Sequence, residues 1–228
     1  MGKLNEKVKC SECETRGKSL LCSLKHEALT TIDESKFHQH YKAGQNLFYA
    51  GNPAAGVFCI LSGTVKLEVQ DEEGKTQIAQ VYSKGGMIGY RALFSDETYL
   101  SSAIAAEPTE LCFIPKATIL ELVKNNPELS LKFLKQLSDD FRMMETRLHR
   151  VSSNTAVERI AEALLFLREN FHEKNWTRKE ISEWASTTTE TVIRTLADFE
   201  TEGLIEQKGR VITILKRDLL LKKAKISV

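Results

Sequence analysis

The chain has 228 residues, of which 42% are hydrophobic and 28% charged, and its net charge is +1. That length is enough for one large or two small domains with cores of their own, and the composition is that of an ordinary globular protein. A generally polyanion-binding surface is excluded, so any nucleic-acid contact must be local, and no apolar run approaches the about 20 residues of a membrane span.

Residues 1–25 are polar and carry Cys10, Cys13 and Cys22. The start lacks the apolar stretch of a secretory signal, so a cytoplasmic protein with reduced thiols is expected. Five cysteines in that setting point to metal, redox chemistry or burial before disulfides. A short helix is expected from about His26 to Asp33. From about Phe37 to Pro115 the pattern is of short strands with recurrent glycines. Val65, Leu67 and Val69 alternate with Thr64, Lys66 and Glu68, the period of a half-buried strand. Asp71 to Gly74 then reads as a turn and Gln77 to Tyr82 as the returning strand. An antiparallel sandwich or barrel follows from this spacing.

After Pro127 the period becomes helical. Leu134, Leu137, Phe141, Met144, Leu148 and Val151 repeat at intervals of three and four, the register of a coiled-coil seam. Polar flanks (Lys135, Asp139, Asp140, Arg142, Glu145, Arg147) leave only a narrow apolar stripe, which favours a partner helix and hence a homodimer. A further helix is expected from Asn154 to about Phe171.

Thr177-Arg178-Lys179-Glu180 is a capping box opening a helix through Ala185. A break at Ser186-Thr187-Thr188 follows, and Thr188 caps a second helix running to about Thr201. Gly203 ends it, and a hairpin through Lys208-Gly209 leads to a strand from Val211 to Leu215. Two helices across a tight break followed by a hairpin describe a winged helix-turn-helix, a double-stranded-DNA reader. Val192, Leu196 and Phe199 share its buried face. Glu190 and Arg194 project together from the opposite face, flanked by Thr189 and Ile193. An arginine there can take guanine O6 and N7, and a carboxylate can accept from cytosine N4.

The residues Leu61-Ser62-Gly63-Thr64-Val65, the stretch Gly89 to Phe94, and Thr189 to Arg194 together resemble the CRP/FNR family of bacterial regulators over essentially the full chain. The resemblance implies an α+β chain in four parts. These are a cysteine-bearing arm (1–25), a cyclic-nucleotide-binding-like β-barrel or jelly roll (26–123), a dimerisation helix (124–152) and a winged helix-turn-helix (153–228). It also implies inverted-repeat operators with a TGA-type half-site core read by Glu190 and Arg194, and contact with RNA polymerase. Ile193 departs from the small or hydroxyl residue of the well-known members, which leaves the outer half-site bases open.

Cyclic AMP does not fit the pattern. Tyr90 stands where the nucleotide binders carry a glutamate, and Tyr99-Leu100-Ser101-Ser102 lacks their phosphate-neutralising arginine, without which burial of a phosphate is costly. Cys10-x2-Cys13-x8-Cys22, with Cys112 far along, resembles instead the FNR branch, whose four thiolates hold an oxygen-sensing [4Fe–4S] cluster. Zinc, a thiol–disulfide switch or no bound group remain open for the same cysteines, and an unidentified small ligand remains open as the signal. Cys59, in an apolar strand, reads as a buried small residue. The histidines at 26, 38, 40, 149 and 172 are scattered, and His38-x-His40 without a third ligand reads as surface. No catalytic constellation stands out, so the chain is expected not to be an enzyme; a ligand-binding module without DNA function is the competing class.

Overall fold

The computed structural model describes residues 8–171 and 174–226; His172 lies outside them. The chain divides into two compact units, one of residues 1–69 and 79–141, the other of 70–78 and 142–228.

The first unit opens with three short 3-10 turns over residues 10–23 and helix α1 (His26–Ser35). Eight strands follow: β1 (Phe37–Tyr41), β2 (Asn46–Phe48), β3 (Gly56–Ser62), β4 (Val65–Gln70), β5 (Thr76–Tyr82), β6 (Met87–Ile88), β7 (Ser102–Ala105) and β8 (Thr109–Pro115), with helix α2 (Tyr90–Ser95) between β6 and β7. They form two four-stranded sheets in the orders β1-β8-β3-β6 and β2-β7-β4-β5. This is the expected jelly roll.

The alternation along β4 is observed: Val65 and Leu67 are buried while Lys66 and Glu68 stay partly exposed and pair at 2.7 Å. Phe58, Ile60, Leu111, Ala103 and Phe48 fill the barrel beside Tyr99, whose ring stacks on Phe48 with centroids 3.7 Å apart. Gly56 is required by packing, because a Cβ there would run into the Ile114 carbonyl.

Helix α3 (Lys116–Asn125) follows β8 and leads into α4 (Pro127–Ser153). Leu129 and Phe133 of α4 join Ile32, Ile119 and Leu122 in a second core outside the barrel. In the other unit come α5 (Ala156–Asn170), α6 (Arg178–Trp184), α7 (Thr189–Thr201), β9 (Ile205–Lys208), β10 (Val211–Ile214) and α8 (Arg217–Lys223). β9 and β10 pair antiparallel, and Ile160, Leu164, Val192, Leu196, Phe199 and Leu220 are buried.

Candidate DNA-reading head and cysteine pocket

Both helices of the reading head start on caps visible in the sequence. Thr177 and Glu180 form a reciprocal capping box on α6, and Thr188 accepts from the Thr191 N–H to open α7. The break between them depends on Ser186, which adopts a left-handed φ of +51°, a conformation disfavoured for a residue with a Cβ. Arg159 of α5 holds that break in place. Its guanidinium donates to the carbonyls of Ala185 at 2.8 Å, Ser186 at 3.2 Å and Asn154 at 2.6 Å. Arg159 was not foreseen, since nothing local in the sequence links residues 26 positions apart.

Along α7, Val192, Thr195, Leu196 and Phe199 are buried. Glu190, Ile193 and Arg194 are exposed, Ile193 by 56%. Thr188 is exposed but its hydroxyl is engaged as the cap, and the half-buried Thr189 hydroxyl lies 3.2 Å from that of Ser182. The turn between β9 and β10 carries exposed Lys208 and Arg210 around Gly209, whose φ is +60°. An exposed carboxylate, a guanidinium and an aliphatic tip on one helix, with a basic hairpin following it in the chain, match the chemistry of base edges and phosphates.

Of the seam residues on α4, Leu134, Phe141, Met144, Leu148 and Val151 are exposed, from 42% at Val151 to 72% at Leu148. Leu137 differs: it packs partly against its own core. One flank also needs correction. Asp140 is buried, with its carboxylate accepting from the Tyr90 hydroxyl and from Gln136 Nε2 at 2.9 Å. Helical periodicity assigned it to solvent because its main partner lies 50 residues away.

The cysteines gather only in part. Cys10, Cys13, Cys59 and Cys112 line one pocket with Lys36, Leu29, Ile60 and Ile114. Cys22 is turned elsewhere, with Lys132 Nζ 2.8 Å from its sulfur. Among the described residues, no three His, Cys, Asp or Glu side chains form a ready metal-ligand group. Lys36 is almost fully buried and donates to Asp33 at 2.5 Å, the Val8 carbonyl at 2.6 Å and Cys10 Sγ at 3.2 Å.

Burial pushes the Cys10 thiol up to about 11 and the Cys112 thiol up to about 12, in both cases against the neighbouring Lys36 ammonium. At Asp33, burial is outweighed by the bonds from Lys36 and the Cys10 N–H, and its carboxyl is held below the ordinary range. Cys59 is partly accessible rather than sealed in the core. His38 is half-buried with Nε2 3.6 Å from Cys112 Sγ, whereas His40 is exposed beside Glu110; the surface reading holds for His40 and fails for His38.

Residues 38–126 match the cyclic nucleotide-binding domain model and residues 158–223 the Crp-like helix-turn-helix model. The chain is 30% identical over 216 residues to the transcriptional activator protein anr of Pseudomonas aeruginosa, covering 90% of this chain and 88% of that protein. It belongs to the CRP/FNR family of transcription regulators.

Another relative of this CRP/FNR-family chain is the fumarate and nitrate reduction regulatory protein of Escherichia coli, 27% identical over 93% of this chain and 89% of that one. Its fold is also that of FixK2 from Bradyrhizobium japonicum, with a TM-score of 0.74 over 82% of this chain and 96% of that one at 21% identity. A CRP/FNR-family regulator of Thermus thermophilus superposes with a TM-score of 0.68 at 28% identity, over 83% and 98% of the two chains. The Pseudomonas aeruginosa and Thermus thermophilus proteins carry the names of transcription regulators. The jelly roll, long helix and helix-turn-helix agree with the fold class read from the sequence.

Proposed function

We propose that this protein is a cytoplasmic homodimeric regulator that reads inverted-repeat operators with a TGA-type core. The observation that carries the reading is the exposed Glu190–Ile193–Arg194 face of α7, placed on a helix whose start and preceding break are held by Thr188 and Arg159. Arg194 takes a guanine, Glu190 accepts from a cytosine, and Lys208 and Arg210 meet phosphates. The exposed apolar row on α4 is covered by the same row of a second copy, which sets two reading helices on one duplex about 34 Å apart. RNA polymerase enters as a partner through the family resemblance.

The signal is assigned to the cysteines. Three of the four family-type ligands, Cys10, Cys13 and Cys112, line one pocket, and a metal bound by them would displace their thiol protons to solvent. The fourth, Cys22, would have to give up its contact with Lys132 to serve as a ligand beside them. A [4Fe–4S] cluster held there would supply oxygen-labile iron–thiolate bonds. Cyclic AMP is disfavoured on this chain's own residues: Tyr90 is fully buried and turned onto the buried Asp140 carboxylate, a charge hostile to a phosphate. No described helix is long and apolar enough to cross a membrane.

The test of the dimeric reading is binding to duplexes carrying two half-sites, compared with the same duplex after insertion of half a helical turn between them. Loss of affinity on insertion is expected, and equal affinity would overturn the symmetric reading. Anaerobic purification with iron and sulfide analysis tests the cluster; zinc in place of iron would favour the structural-metal alternative.

A further inference from the structure

In the second unit, Arg147, Arg150, Arg159, Arg178 and Arg217 each engage a carbonyl, an amide or a carboxylate of that same unit. Among the described residues, Arg168 and Arg210 have no such partner. Yet both border one cleft, Arg168 from the last turn of α5 and Arg210 from the turn ahead of β10. The same cleft is lined by Asn175 and Trp176, from the segment joining α5 to α6, with Leu164 and Ile212 among its apolar walls. It encloses about 240 Å³ including its mouth. Trp176 is buried, and its indole N–H has no acceptor among the described residues. A buried donor left in that state is costly. None of the described side chains lining the cleft is a carboxylate. The negative end of the α5 dipole accounts for Arg168 taken alone, but it explains neither Arg210 nor the orphaned indole.

We infer that Arg168 and Arg210 clamp one phosphoryl group in this cleft, with the Trp176 N–H and the Asn175 amide completing the donors. Each guanidinium fork matches two oxygens of a phosphate at once. A carboxylate offers only two oxygens to four donor groups, whereas a tetrahedral oxyanion has enough for all of them. Apolar walls weaken screening and so strengthen each charge-assisted bond. Two sources supply such a group: a backbone phosphate of the operator duplex, or a soluble phosphorylated compound. The first extends the phosphate contact proposed above for Arg210 and rests on the operator reading; the second does not.

The test uses full-length protein labelled with ¹⁵N at the tryptophan indoles. The chain has two tryptophans, so each indole N–H gives its own resonance, and Trp176→Phe assigns the one concerned. Inorganic phosphate, added at constant ionic strength, should shift the Trp176 resonance, while chloride and acetate should leave it in place. Arg168→Ala should weaken the phosphate response by about tenfold or more, the scale of one lost charge-assisted hydrogen bond. Arg168→Lys keeps the charge without the fork and should retain part of it. An unmoved Trp184 resonance in both variants reports an intact head. In a second arm the operator duplex replaces phosphate, with single backbone phosphates neutralised in turn as methylphosphonates. A duplex-induced shift that one methylphosphonate abolishes assigns the group to DNA, and Arg168→Ala should then lower the salt slope of binding by about one. A response to phosphate with none to the duplex assigns it to a soluble compound. A Trp176 resonance that neither phosphate nor duplex moves would overturn the clamp, as would equal shifts in wild type and Arg168→Ala or an equal response to acetate. The phosphate arm contains no DNA, so failure of the clamp is distinguishable from failure of the operator reading.

Discussion

Arg159 and Ser186 decide whether the reading helix is aimed. The guanidinium satisfies two backbone carbonyls at the break, Ala185 and Ser186, and ties them to the Asn154 carbonyl ahead of α5, and charge-assisted hydrogen bonds of this kind contribute about 1.5–3 kcal/mol each. Arg159→Ala is expected to lower operator affinity at least tenfold and to lower the melting temperature; unchanged values of both would contradict that role. Tyr90→Phe removes a hydrogen bond to the buried Asp140, and a loss of about 1–3 kcal/mol is expected in urea unfolding. At Asp33 the folded carboxyl titrates below the unfolded one. Its stabilising contribution is therefore present above about pH 4, and it disappears as pH falls through the lower folded value. The stability difference between wild type and Asp33→Asn should shrink accordingly on acidification, and a difference that widens would refute the assignment. Thr177 and Thr188 were readable as caps because capping is a matter of four consecutive positions. Asp140, Arg159 and Cys22 were not, because Tyr90, the Ala185 carbonyl and Lys132 reach them only through the tertiary fold.

Among the elements, α4 carries two faces. Leu129, Phe133 and Asp140 turn inward, while Leu134, Phe141, Met144 and Leu148 remain exposed. An apolar row of this length is the kind of surface that marks association. If α4 pairs as proposed, wild type is expected to run as a dimer by light scattering and Leu148→Glu as a monomer without loss of helical signal; a Leu148→Glu dimer would remove the seam from the account. The period of three and four residues made the exposed apolar row readable, and Leu137 departs from it because its side chain packs partly against the second core. Three helices escaped notice. α2, six residues long, begins after Gly89 at a φ of +95°, α3, ten residues long, follows Pro115, and α8 is seven residues long; none has a side-chain cap. Without a cap signal, segments this short have no periodicity to detect.

For the whole molecule, the change from glycine-punctuated strands to helices was visible in the hydrophobic period, whereas the structure divides the chain within α4 and again at 69/70 and 78/79. The cysteine pocket was only half readable. The family resemblance grouped Cys10, Cys13, Cys22 and Cys112, whereas the fold brings Cys59 beside Cys10, Cys13 and Cys112 and turns Cys22 towards Lys132. A net charge of only +1 makes the DNA contact a local one, so its salt dependence should reflect a handful of phosphates per subunit and not the whole surface. The most direct measurement is salt-titrated fluorescence anisotropy on a palindromic operator and a shuffled duplex, for wild type and for the Glu190→Ala, Arg194→Ala double variant. Wild type should prefer the palindrome, and the double variant should lose about 1–3 kcal/mol of discrimination per contacted base pair while keeping the same salt slope. Undiminished preference in the double variant would contradict the account.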